Sequence, residues 1–163
     1  MAGSAKAAVM YSFEVTPDFG PLLGDTYLGT LEYDDSGLTG IGEETVGLSD
    51  FDFSFLGSDF MSADDPFAFV QLFDGVFLGV EYSAPEFQFL SGIDPFDPSF
   101  SSIDNAFFAY DVSAGAGFGN IKYTSIIAPP PPATSIPDPS TVLGLIGVGF
   151  IGIRMKRRSQ EPV

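Results

Sequence analysis

From residue 8 onward, apolar and polar side chains alternate. Val9, Tyr11, Phe13 and Val15 interleave with Met10, Ser12, Glu14 and Thr16, and Phe51, Phe53 and Phe55 interleave with Asp50, Asp52 and Ser54. A period of two sends the two sets to opposite faces of a strand, one buried and one wet. The same pattern recurs over 27–33, 76–82, 86–90, 105–112 and 120–126. Residues 67–73 are apolar on both faces and predict a central, covered strand. Turn residues separate these segments: Thr16-Pro17-Asp18, Asp34-Asp35-Ser36-Gly37, Asp64-Asp65-Pro66, Asp74-Gly75 and Asp94-Pro95-Phe96-Asp97-Pro98. Asp74-Gly75 between two alternating runs is a two-residue hairpin signal. No segment before residue 136 keeps a helical period. The pattern therefore predicts an all-β domain over 8–128, an antiparallel β-sandwich of jelly-roll type.

After Ile127 the chain reads APPPPATSIPDPS. Four consecutive prolines favour polyproline II and exclude helix and sheet, so residues 129–135 form a semi-rigid linker. Beyond it, residues 142–153, VLGLIGVGFIGI, are apolar or glycine throughout.

Composition changes this picture mainly by exclusion. The chain of 163 residues has no Cys, His or Trp, but 18 Phe and 6 Tyr. There is no disulfide framework, no thiolate or imidazole metal ligand, and no histidine base. The net charge is −16, unevenly placed. All 22 acids except Asp138 and Glu161 precede residue 130, where the only bases are Lys6 and Lys122. Such a body repels nucleic acid and anionic membranes. Arg154, Lys156, Arg157 and Arg158 crowd the other end.

Few residues suggest chemistry. No carboxylate pair is singled out by spacing, and Asp50 and Asp52 read as the solvated face of a strand. Lys122 likewise reads as a lone lysine on a wet face. Calcium takes several oxygen ligands from loops, and Asp34, Asp35, Asp64, Asp65, Asp94 and Asp97 offer them. None matches the spaced calcium loop, and turn formation explains the same residues more simply. The expectation is an acidic body without catalytic machinery and with no cofactor beyond a candidate Ca2+.

The apolar run at 142–153 would span about 18 Å as a helix, against a hydrocarbon core of about 30 Å. It lacks a polar face, and its four glycines, 144, 147, 149 and 152, are costly in a water-facing helix but tolerated in membranes. The basic residues after it can snorkel and extend the span. The positive-inside rule places that basic end in the cytoplasm. In order, Pro137-Asp138-Pro139-Ser140-Thr141, a hydrophobic helix over 141–153 and a terminal basic cluster resemble the PEP-CTERM sorting signal. That signal is read in Gram-negative bacteria and many cyanobacteria by the membrane transpeptidase exosortase. The usual motif has Glu where this chain has Asp138, which keeps the charge and loses one methylene. The resemblance covers 136–158 and implies Pro137, Asp138 and Pro139 as the recognition triplet. It implies Arg154, Lys156, Arg157 and Arg158 as the membrane stop.

A sorted protein is first exported. Ala5-Lys6-Ala7 fits the small-x-small pattern of a signal-peptide cleavage site, so 1–7 is read as its remnant and 159–163 as a short tail. The expectation is a non-enzymatic envelope or extracellular-matrix protein, held at the inner membrane during sorting and then displayed on the surface. Exosortase, the membrane, exopolysaccharide and divalent cations are the expected partners, and nucleic acid is not. A displayed glycan- or calcium-binding module and a plain single-pass anchored protein stay open beside it.

Overall fold

The structure is a computed structural model that describes residues 8–126. The cleavage-site residues, the linker, the sorting motif, the helix expected at 141–153 and the basic stop lie outside the described residues. The chain divides into two units, Met1–Ala128 and Pro129–Val163.

Among the described residues the regular structure is strand, apart from two single-turn 3-10 segments, Pro98–Phe100 and Ile103–Asn105. The strands are β1 (Ala8–Phe19), β2 (Tyr27–Asp34), β3 (Glu43–Phe55), β4 (Ser58–Met61), β5 (Phe69–Phe73), β6 (Val76–Ser83), β7 (Phe87–Leu90), β8 (Phe107–Val112) and β9 (Gly115–Ile126). All pairings are antiparallel and join strands consecutive in the chain, except that β3 rather than β4 pairs with β5, and that β9 pairs back onto β1 from Met10↔Ile126 to Phe19↔Phe118. The ring runs β1-β2-β3-β5-β6-β7-β8-β9 and closes.

The sandwich expectation is therefore wrong: this is a closed, eight-stranded up-and-down barrel, in which the short β4 pairs only with β3. Sandwich and barrel strands share the same alternation, so the pattern cannot separate them. What separates them is whether the first strand meets the last. The long β3 helps close the ring. Its Glu43–Gly47 stretch pairs with β5, while positions from Leu48 to Phe53 pair with β2.

Local chemistry explains the turns. Asp74 and Gly75 both have positive φ, 48° and 75°, as a type I′ hairpin requires. Leu56-Gly57 builds the same kind of turn between β3 and β4, with φ of 51° and 84°. Lacking Asn or Asp, that dipeptide gives no such signal in the sequence. The expected strand at 67–73 begins at Phe69, and Phe67 is 85% exposed in the turn before it. Within β5, Val70, Gln71 and Leu72 are buried in succession, so both faces are covered. Gly115, Gly117 and Gly119 belong to β9.

Alternating inward positions fill the barrel. Phe13, Val15, Leu31, Phe51, Phe53, Phe55, Phe89 and Phe108 are all buried. Phe53 lies within 6.4 Å, ring centre to ring centre, of Phe13, Phe51, Phe55, Phe87, Phe89 and Phe108. Most of these contacts are tilted or edge-to-face, which suits the ring quadrupoles. On β1 to β3 most outward positions are polar, among them Ser12, Glu14, Glu32, Asp50, Asp52 and Ser54, unlike the apolar outer band of a membrane barrel. No described helix is long and apolar enough to cross a membrane.

The loop between β7 and β8 covers the outside of β6. Gly92 N–H donates to the Leu78 carbonyl at 2.8 Å, and Ser102 N–H to the Gly92 carbonyl at 3.0 Å. Leu78 is buried beneath it. Gly79 has a φ of 119°, and a Cβ there would lie 3.2 Å from the Ala106 Cβ. Both Ala8 and Ile126 lie at the end of the barrel that carries this loop, because β1 and β9 are adjacent and antiparallel.

Removing the central ring by Phe53→Ala should cost about 3–5 kcal/mol. Phe96→Ala, at a side chain 96% exposed, should stay within about 0.5 kcal/mol. Urea denaturation followed by circular dichroism measures both.

Burial also raises tyrosine pKa values. Tyr82 is pushed up to about 12, first by burial and then by the charges of Asp64 and Asp65. Burial likewise raises Tyr33 and Tyr123. The unfolded chain thus loses these protons first, from the ordinary value of 10.0. The tyrosine contribution to stability should be constant below that pH and be lost as pH rises through about 12. An ultraviolet tyrosinate titration beside an alkaline unfolding curve measures this, and the buried tyrosines should ionise together with unfolding.

Candidate functional site on the outer wall

The interior is occupied by the barrel's own rings, so groups able to meet a ligand lie on the wall and at the ends. An open groove of about 560 Å³ crosses the outside of β9, β1, β2 and β3. Two rows of outward side chains line it. Thr124, Ser12, Thr30 and Asp52 form one row in register across the four strands, and Lys122, Glu14 and Leu28 form the next. Gly29 lies between Leu28 and Thr30 and lets the strands come close. A Cβ there would collide with the Phe13 ring and the Asp52 carbonyl. Phe13 thereby covers the bare backbone from inside.

Lys122 is the only lysine or arginine between residues 8 and 126. Glu14 stands opposite it in register. No hydrogen bond or ion pair from another described residue engages the side chains of Glu14, Thr30, Asp52, Lys122 or Thr124. Ser12 Oγ donates a long bond, 3.4 Å, to the Thr124 carbonyl. The groove thus offers hydroxyls, two carboxylates and one ammonium free to exchange hydrogen bonds, beside an apolar edge from Leu28. Sequence reasoning placed these residues only on wet faces. Their gathering depends on register across four strands, which no local motif encodes.

The acids proposed for calcium are placed differently. Asp34, the last residue of β2, and Asp35, Asp94 and Asp97 in loops lie at the end where Ala8 and Ile126 lie, while Asp64 and Asp65 lie at the opposite end, between β4 and β5. Most of them serve turns. Asp34 Oδ1 accepts from Ser36 N–H at 3.0 Å. Asp94 Oδ1 accepts from the N–H groups of Phe96 and Asp97. The Ser99 hydroxyl, and then its N–H, hold Asp97 below the usual carboxylate range. Asp64 Oδ2 accepts from Met61 N–H at 2.7 Å. Asp65 Oδ1 accepts from Phe67 N–H, and its Oδ2 from Ser83 N–H. Among the described residues no three acidic side chains gather as they would around a metal ion. The sorting residues 137–141 and the basic stop at 154 and 156–158 lie outside the described residues.

Comparison of the chain with protein-family models, with curated proteins and with solved structures finds no match.

Asp65 ties the β4–β5 turn to the end of β6. Asp65→Ala should cost about 1–2 kcal/mol, in the range of a lost cap. The loss should be equal in chelator and in millimolar calcium, as denaturation under the two conditions would show. A loss seen only with calcium present would identify Asp65 as a metal ligand instead.

Proposed function

We propose that the chain is an exported, non-enzymatic envelope protein whose acidic barrel is delivered to the cell surface or extracellular matrix through an exosortase-type C-terminal signal. The observation that carries this reading is the order of elements over 136–158: a Pro-Asp-Pro motif, a short glycine-rich apolar run and a terminal basic cluster. The motif is the part to be read. The apolar run holds it at the membrane, and the basic residues keep the far end on the cytoplasmic side.

Two features of the barrel suit display. Ala8 and Ile126 lie together at one end of the barrel, opposite Phe19 and Phe118. The interior is packed with rings, so a displayed barrel meets partners through its outside. The charge of the body also keeps it soluble and repels anionic surfaces. The open groove favours a second reading within the first, in which the displayed barrel is a binding module for a polar ligand.

The test is the mass of the mature product. The full chain, expressed behind a signal peptide, should lose its Met155-Lys156-Arg157-Arg158 end in a host with exosortase and keep it in a host without. Pro137→Ala should block the loss. Retention of the basic end in both hosts would leave a plain single-pass anchor.

A further inference from the structure

The groove continues into a second feature on the same wall. Outward positions along β9 run Thr124, Lys122, Asn120 and Phe118; those along β1 run Ser12, Glu14, Thr16 and Asp18. At about 3.3 Å per residue, the strip from Thr124 to Phe118 is about 20 Å long. At its upper end Asn120 Nδ2 donates to Asp18 Oδ2 at 2.8 Å. Beside that pair, Phe19 and Phe118 stack with ring centres 5.3 Å apart and planes at 19°. Both rings are open to solvent, 61% and 51% exposed.

A break in strand parity puts Phe19 there. Phe13, Val15 and Pro17 point inward, and uninterrupted alternation would send Phe19 inward as well. The register between β1 and β9 instead shifts between Pro17 and Phe19, so that Asp18 is the extra residue of a β-bulge. The bulge re-aims Phe19 to the outside, onto Phe118. Gly117 and Gly119 permit this close approach, since a Cβ on either would run into the backbone of β1, at Phe19 or Thr16. Burial of apolar surface does not account for the arrangement, because it moves a phenyl ring out of reach of the core.

We propose that this strip binds an extended, uncharged glycan; the proposal rests on the binding-module reading above. A pyranose has an apolar C–H face and an equatorial fringe of hydroxyls. The Phe19–Phe118 pair supplies a flat apolar platform for the face. The Asp18–Asn120 pair presents a free carboxylate oxygen and a free amide oxygen, both acceptors for sugar hydroxyls. Further along, Glu14, Lys122, Thr30 and Thr124 exchange hydrogen bonds with successive sugar units. Charge selects the class. Twenty acids against one base between residues 8 and 126 oppose a polyuronate and leave a neutral chain unhindered.

The experiment is calorimetric titration of the full chain, purified in detergent, with soluble cellulosic glucan, xylan and mannan oligosaccharides, and with polygalacturonate as the anionic control. Saturable binding of at least one neutral oligosaccharide is expected, with none of polygalacturonate. Phe118→Ala and Phe19→Ala remove exposed rings, so they should leave the melting temperature unchanged while weakening binding tenfold or more. Phe96→Ala, at the opposite end, should bind as the parent does. Absence of binding to all three neutral glycans, or full binding by Phe118→Ala, overturns the proposal. Either result is independent of the mass of the sorted product, so this site and the sorting reading fail separately.

Discussion

The pairing of β1 with β9 is the constraint on which the rest of the molecule depends. It joins the two ends of a meander that would otherwise be an open sheet with two long free edges, each a template for aggregation. Closing the ring turns every inward position toward a common axis, where the rings of Phe13, Phe53 and Phe108 meet. It also brings the two ends of the described chain together. β4 pairs only with β3, and its other edge is capped locally. Asp64 receives the Met61 N–H, and the Tyr82 hydroxyl donates to the Met61 carbonyl at 2.9 Å.

A barrel of eight strands has an interior just wide enough for side chains to fill or for one small ligand. Here phenylalanine decides between these outcomes. Inward positions of β3, β7 and β8 carry Phe51, Phe53, Phe55, Phe87, Phe89 and Phe108, and their edge-to-face contacts take up the axis. The space open to a ligand is thereby on the outside. The acids divide accordingly. Those in turns spend oxygens on backbone N–H groups, whereas Glu14 and Asp52 on the wall keep theirs for solvent or a ligand. The first group supports the fold and the second gives the wall its character, although composition alone makes them look alike.

Most strands were legible because strand alternation is a local property. The runs around Val9–Val15 and Phe51–Phe55 needed no tertiary knowledge, and neither did the Asp74-Gly75 turn. The first half of β3 was less legible, because Thr45, Gly47 and Ser49 carry little contrast against the half-buried Val46 and Leu48. The short β4 was hidden by a Leu-Gly turn without the usual residues. The wall site was illegible: Thr124, Ser12, Thr30 and Asp52 are distant in sequence, and only register places them in one row.

By itself the sequence determined an all-β acidic body, its turns and a boundary marked by prolines, each set by residues near one another in the chain. Tertiary structure alone decided closure over sandwich, the outward turn of Phe19 at the Asp18 bulge, and the gathering of the groove. Those depend on which strand meets which and in what register. Strands far apart in the chain settle that by packing their shared rings, and a period of two leaves the choice open.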